Sequence, residues 1–216
     1  MNNMNEINRK ATTIRLETTQ DYRAVETLVR DSFWNIYRPG CAEHFTLKKL
    51  RDDADFVKEL DFVMEQEGRI IGQNVFVRAV IEADDGRTVP VLTMGPICVA
   101  NDRKRQGYGK RLLDASLQKA AALGFGAVCL EGDIGIYGKS GFVCAKNFGI
   151  RYNGLPVEAD TSFFLCKELQ PGYLANAAGN YVTPKGYFAC EQYATEFAAY
   201  EAEFPYKEKQ KLPGQL

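Results

Sequence analysis

A single histidine, His44, and a single tryptophan stand among the 216 residues. One imidazole is too few for a histidine-rich zinc site or a multi-histidine proton relay. The six cysteines, Cys41, Cys98, Cys129, Cys144, Cys166 and Cys190, include no pair at metal-ligand spacing, so no metal is expected. Cys98, Cys129, Cys144 and Cys166 fall in apolar, strand-like runs, the setting of small buried core residues in a reducing compartment. Surplus charge is also lacking: 27 Lys and Arg against 28 Asp and Glu leave a formal net charge of −1. That balance argues against nucleic acid or a membrane surface as a general partner. The longest apolar run, Ala120 to Leu130, is too short to cross a bilayer and contains glycines. The opening Met-Asn-Asn-Met-Asn-Glu has no apolar signal core. Together these absences lead to the expectation of a soluble, cytoplasmic protein.

What is present is enough for a packed core: 45% hydrophobic and 12% aromatic residues. The length suits one domain, with room for an appendage. Residues 1 to 11 read as a frayed polar lead, and Ile14 to Leu16 as a short strand. Thr18 to Asp21 resembles a capping box, and the spacing of Tyr22, Val25, Leu28, Val29 and Phe33 predicts a helix. The aromatic cluster Phe33-Trp34-Asn35-Ile36-Tyr37 ends it before Pro39-Gly40. A second helix is expected over Thr46 to Lys58. Phe62 to Glu65 and Arg69 to Ile81 read as a hairpin around Gln66-Glu67-Gly68. Asp84-Asp85-Gly86-Arg87 is a turn before a strand from Val89 to Ala100. Pro90 and Pro96 mark edges or irregularities of that strand. Further strands are expected over Ala127 to Leu130, Val143 to Phe148 and Ser162 to Lys167. Beyond Gln170, Glu191 to Phe204 reads as a helix with Tyr193, Phe197, Tyr200 and Phe204 on one stripe. The domain expectation is therefore residues 1–168, with an extension, 169–216, packed on the same domain.

Met94 to Phe142 carries the chemistry. A strand ends in the basic turn Asp102-Arg103-Lys104-Arg105-Gln106; Gly107-Tyr108-Gly109 follows, and an amphipathic helix begins at once. That helix is expected to bury Leu112, Leu113, Leu117, Ala120, Ala121 and Leu123, and to stop at Gly124. A helix start leaves backbone N–H groups unpaired and carries roughly half a positive charge. Glycines there admit a ligand to the backbone, and Lys104, Arg105, Lys110 and Arg111 add charge. The result is a cradle for phosphate or pyrophosphate. It is neither a dinucleotide fingerprint, which needs glycine where Leu112 stands, nor a P-loop, for which Lys104 and Arg111 are the wrong residues.

The sequence resembles the GNAT superfamily of acetyl-CoA-dependent N-acetyltransferases. The R/Q-x-x-G-x-G/A signature appears as Lys104-Arg105-Gln106-Gly107-Tyr108-Gly109, with Lys in the first place. The later Tyr-x-x-x-Gly-Phe landmark is Tyr137 to Phe142. The resemblance is sharpest over Met94 to Phe142 and extends over Ile14 to Lys167. Gly132-Asp133 and the Phe164-Leu-Cys-Lys-Glu-Leu169 run look like one bacterial branch of uncharacterised GNAT proteins.

The resemblance implies an α/β fold: a mixed, mostly antiparallel sheet with a splayed parallel central pair and helices on both faces. Gly95-Pro96 lies near the bulge that splays that pair. It implies acetyl-CoA as cosubstrate, with Lys104, Arg105, Gln106, Gly107, Tyr108, Gly109 and Lys110 at its phosphates. Ile97, Cys98 and Val99 would pair with its pantetheine arm, and a Cys98 or neighbouring N–H would face the oxyanion. Tyr137 matches the general acid. Glu131 and Asp133, beyond the following strand, are candidates to take the amine proton or anchor a cationic substrate; both serve equally as turn carboxylates. The Phe33–Gly40 cluster borders the acceptor site in that fold and serves equally as a hydrophobic plug. The implied activity is acetyl transfer to a primary amine, small or peptidic, by direct attack in a ternary complex. Alternatives are a module that binds or senses acyl-CoA, and transfer of a longer acyl group. GNAT proteins are often dimers, so a homodimer is one expectation, although no segment specifies it.

Overall fold

The computed structural model describes residues 12–156 and 158–215; the polar lead 1–11 lies outside the described residues. Among these, nine strands form one mixed sheet. The strands are β1 Thr12–Leu16, β2 Phe62–Gln66, β3 Arg69–Ala83, β4 Thr88–Val99, β5 Ala127–Glu131, β6 Val143–Cys144, β7 Ile150–Tyr152, β8 Phe164–Glu168 and β9 Gly179–Val182. The order runs β1-β2-β3-β4-β5-β8-β6, with β9 pairing the far end of β3 and also β7. Pairing is antiparallel except at β4–β5 and β7–β9. This is the mixed sheet with a parallel central pair that the sequence led us to expect.

The helices are α1 Tyr22–Phe33, α2 Glu43–Leu50, α3 Tyr108–Ala122, α4 Ile134–Tyr137, α5 Ala189–Gln192 and α6 Ala194–Glu201. None is long and apolar enough to cross a membrane. Helix α3 packs on β3 and β4 through Leu112, Leu113 and Leu117, all buried. Each such leucine contributes roughly 1.5–3 kcal/mol of burial. Leu123 is 42% exposed instead of joining that face, because the helix has ended and Gly124 has turned left-handed at φ 89°. Phe142, buried at 2%, closes the core after α4.

Three expected elements are corrected. The second helix spans Glu43–Leu50, not Thr46 to Lys58. Arg51 turns its guanidinium inward, 2.7 Å from Glu17 and 2.6 Å from Glu26, and Asp53 accepts the Asp55 N–H at 2.9 Å. Such a local side-chain bond competes with continued helix. The strand expected over Val143 to Phe148 lasts two residues before a 3-10 turn, Ala145–Phe148. The helix expected over Glu191 to Phe204 breaks at Tyr193, whose backbone sits at φ −123° and ψ 45°. Tyr200 and Phe204 still pack together, against Phe45 of α2 and its N-cap Ala42, while Tyr193 is 48% exposed.

Two buried polar clusters tie these layers together. His44 is fully buried with Nε2 2.9 Å from Glu201, which Arg30 also engages. Burial lowers its pKa to about 4, so the imidazole is neutral and structural. Asp61 sits beside Glu17 within the Arg51 cluster; burial, then the Glu17 charge, raises its carboxyl to about 9.

Candidate active site

The cradle is built as the glycine pattern requires. Gly107 caps α3 in the left-handed region, φ 86°, where an L side chain is strained. The first backbone N–H of this turn to find a carbonyl is that of Arg111, bonded to Gly107 O at 3.1 Å. The N–H groups of Gly107, Tyr108, Gly109 and Lys110 therefore point out of the helix end. The corner is open: a Cβ added at Gly107 would meet nothing within 4 Å, and one at Gly109 only Val99 Cγ2 at 3.6 Å.

The Tyr108 side chain faces inward. It is buried, and its hydroxyl accepts a hydrogen bond from Gln66 Nε2 at 3.0 Å; Gln66 Oε1 in turn accepts from Arg103 Nε at 3.0 Å. Gln66 thus pins both ends of the loop to the β2–β3 hairpin. Gln106 donates to Asp102 O at 3.0 Å and closes the turn. Around the opening, Lys104 reaches the Ser32 carbonyl at 3.4 Å and Lys110 pairs with Asp114. Arg105 is exposed and, among the described residues, has no ion-pair partner. Arg111 is tethered to Thr12 on β1 and leaves the cradle.

The slot lies between β4 and β5. They pair only at Leu92↔Val128 and Thr93↔Cys129, and β4 runs on to Val99 without β5 beside it. The β3–β4 register slips between Asn74 and Phe76, opposite the cis Gly95-Pro96 peptide, and the bulge turns β4 away. Ala100 donates to Ile71 O on β3. Backbone direction alternates along a strand, so Cys98 also faces β3 while Ile97 and Val99 face the slot. Tyr187 Oη donates to Gly95 O at 2.7 Å, and Ser32 Oγ donates to Val99 O at 3.3 Å. These two bonds bracket Ile97. Burial raises the Cys98 thiol to about 12, which keeps it protonated and argues against a nucleophilic role.

At the far end of the slot stands Tyr137. Its ring packs edge-on to Phe142 at 5.9 Å and lies over Gly132, where an added Cβ would sit 2.4 Å from the ring. Burial, then the nearby Tyr37, raises its pKa to about 12. Glu131 ends β5 and accepts from Tyr152 Oη at 2.6 Å. Its charge also reaches Tyr37 and Tyr187: burial, then Glu43, then Glu131 raise the Tyr37 pKa, and burial, then Glu131, raise that of Tyr187. Asp133 is engaged elsewhere, capping α4 by accepting the Gly135 N–H at 2.8 Å. The helix start at Ile134 demands such an acceptor, which makes Asp133 a poor candidate for the base.

Sequence reasoning noted Gly132 only as part of the Gly132-Asp133 resemblance and overlooked Tyr152, Thr183 and Tyr187. No motif announces these three, since they come from β7 and the C-terminal segment. Among the described residues, no group of three or more His, Cys, Asp or Glu is placed to hold a metal.

Comparison with known proteins identifies the family and the fold. Residues 29–142, more than half of the chain, match the model of the acetyltransferase (GNAT) family. The uncharacterized N-acetyltransferase YhbS of Escherichia coli K12 is 28% identical over 138 residues, 64% of this chain and 77% of that protein. The E. coli YhbS crystal structure in complex with CoA superposes with a TM-score of 0.71 at 24% identity, covering 82% of this chain and 91% of that one. A GNAT family acetyltransferase from Brucella melitensis, in complex with acetyl-CoA, gives 0.62 at 21%, covering 83% and 99%. At these identities the structural likeness is one of fold. The chain belongs to the acetyltransferase (GNAT) family.

Proposed function

We propose that the protein transfers an acetyl group from acetyl-CoA to a primary amine by direct attack in a ternary complex. The observation that carries this reading is the open helix start at Gly107–Lys110 feeding a slot that ends at Tyr137. The relatives crystallised with CoA and acetyl-CoA support the choice of cosubstrate. The pyrophosphate would take the four outward N–H groups, with Lys104 and Arg105 adding screened charge. The pantetheine amides would pair with Ile97 and Val99 as an added strand pairs with a sheet edge. The thioester then lies near the bulge, where a slot-facing N–H can meet the developing oxyanion.

The amine must lose a proton before it attacks, since a lysine-like ammonium has a pKa of ~10.4. Glu131, at the slot's end, draws the ammonium and receives or relays that proton. Attack on the thioester carbon gives a tetrahedral adduct; collapse breaks the C–S bond. The sulfur leaves with a proton from Tyr137, and the amine nitrogen's second proton restores the phenol. With its pKa at about 12, Tyr137 holds its proton at neutral pH, as an acid must.

Tyr137→Phe tests the assignment. It should lower kcat by roughly 10²-fold or more, the range for a lost general acid, and leave CoA affinity unchanged. Full turnover in that variant removes Tyr137 from the mechanism. CoA binding with no thiol released by any amine in the wild type would make the protein a binding module instead.

A further inference from the structure

We infer that the acceptor is a primary amine on an apolar, aromatic-sized body with no carboxylate beside the nitrogen, and that Glu131 enforces that choice. This rests on the acetyl-transfer reading and names its substrate class.

Glu131 is a carboxylate held in place without being neutralised. Among the described residues no Lys or Arg pairs with it; its hydrogen-bond partner is the Tyr152 hydroxyl at 2.6 Å. Tyr152 is itself fixed. Thr183 donates to its hydroxyl at 3.2 Å, and its ring packs on Phe163, Phe164 and Tyr181 at 5.6, 5.2 and 5.9 Å. Tyr152 and Thr183 therefore fix the exposed Glu131 carboxylate at the end of β5, without a cationic partner among the described residues.

The surroundings are aromatic and apolar. Tyr37 and Tyr187 lie within reach of the Glu131 charge, and Tyr37 within reach of Tyr137. The Tyr187 hydroxyl is committed to Gly95 O, and its ring packs against the core beside the slot. Next to these tyrosines in sequence stand Ile36, Ile136 and Phe188, 50%, 64% and 47% exposed. Single exposed apolar residues are ordinary. The aromatic rings at hand are those of Tyr37, Tyr187 and Tyr152, which bonds the carboxylate itself. An ammonium finds a counter-charge and ring faces there. An amine bearing its own carboxylate meets like-charge repulsion, worth a factor of ~10 or more near a protein surface.

The test measures thiol release from acetyl-CoA with phenethylamine, with phenylalanine (the same body plus a carboxylate) and with 1,4-diaminobutane. Phenethylamine should exceed both in kcat/KM, and phenylalanine by at least ~10-fold. Glu131→Gln should lower kcat for both amines and close most of the phenethylamine–phenylalanine gap in kcat/KM, with acetyl-CoA affinity unchanged. Tyr152→Phe, a positioning change, should narrow the same gap in part. Equal rates for the first two amines, or a gap that survives Glu131→Gln, overturns the inference and leaves acetyl transfer standing. If the wild type binds acetyl-CoA but releases no thiol with any amine, calorimetry on the acetyl-CoA-bound protein decides. Phenethylamine binding that Glu131→Gln weakens keeps Glu131 as the residue that selects the amine and retires acetyl transfer; no binding overturns both.

Discussion

Gly132→Ala perturbs the proposed general acid without touching it. The new methyl would lie 2.4 Å from Tyr137 Cε2, 2.9 Å from its Cδ2 and 3.1 Å from Leu130 Cδ1. Carbon atoms rest at about 3.5 Å or more, so the ring must move by roughly 1 Å. Leu130 and Phe142 are both buried and leave little room to yield. Overpacking of this kind costs about 1–3 kcal/mol, which a folded domain survives. The catalytic effect should be larger: a ~1 Å displacement of an aligned group costs about 10²-fold. The assay pairs steady-state thiol release with calorimetric titration of CoA. The expected result is kcat down by about 10²-fold with CoA affinity intact, because Gly132 lies at the opposite end of the slot from Gly107. Undiminished kcat in a folded Gly132→Ala protein would refute the placement of Tyr137 as acid.

Gly107→Val should abolish CoA binding and destabilise the fold by only about 1–2 kcal/mol, the cost of an L residue at φ 86°; titration and thermal unfolding separate the two. Deleting residues 206–215 removes Glu208 O, which accepts from Trp34 and Asn35, and Gln210 and Gln215, which bond Asn35. The loop carrying Tyr37 should loosen, raising the amine KM several-fold while CoA affinity holds. Asp61→Asn probes the buried cluster. Asp61 has its folded pKa raised to about 9, so its stabilising proton is present below ~4 and is lost as pH rises toward 9. The Tm advantage of Asp61→Asn over wild type should therefore grow between pH 5 and pH 8; a constant difference contradicts the raised pKa.

The helix start, the bulge and the parting of β4 from β5 were legible because their signals are local. Gly107 and Gly109 sit at a helix start, Gly95-Pro96 at a bulge, and Tyr137 five residues before Phe142; each is set by neighbours along the chain. The surroundings of Glu131, where the acceptor is proposed to bind, were not legible, for a reason that can be traced. Glu131 is aimed by Tyr152, Tyr152 by Thr183, and Gly95 O is covered by Tyr187. Those links join β5, β7 and the segment after β9, and pairings so distant leave no period or spacing to read. The strand β9 itself, four residues ending at Val182, lacks the length to be told from a loop. Asp133 is the opposite case. An aspartate just before Ile134-Gly-Ile-Tyr137 is an N-cap pattern, and the short helix it starts was there to be found. The break at Tyr193 has no such signal, since the aromatic stripe continues through it on the far side.

The central claim is that the helix start at Gly107 holds the CoA diphosphate. A crystal structure of the protein grown with CoA tests it most directly. The account requires the pyrophosphate oxygens within hydrogen-bond distance of the N–H groups of Gly107 to Lys110, and the pantetheine arm beside Ile97 and Val99. A bound CoA whose phosphates rest anywhere else, with that corner left to water, would contradict it.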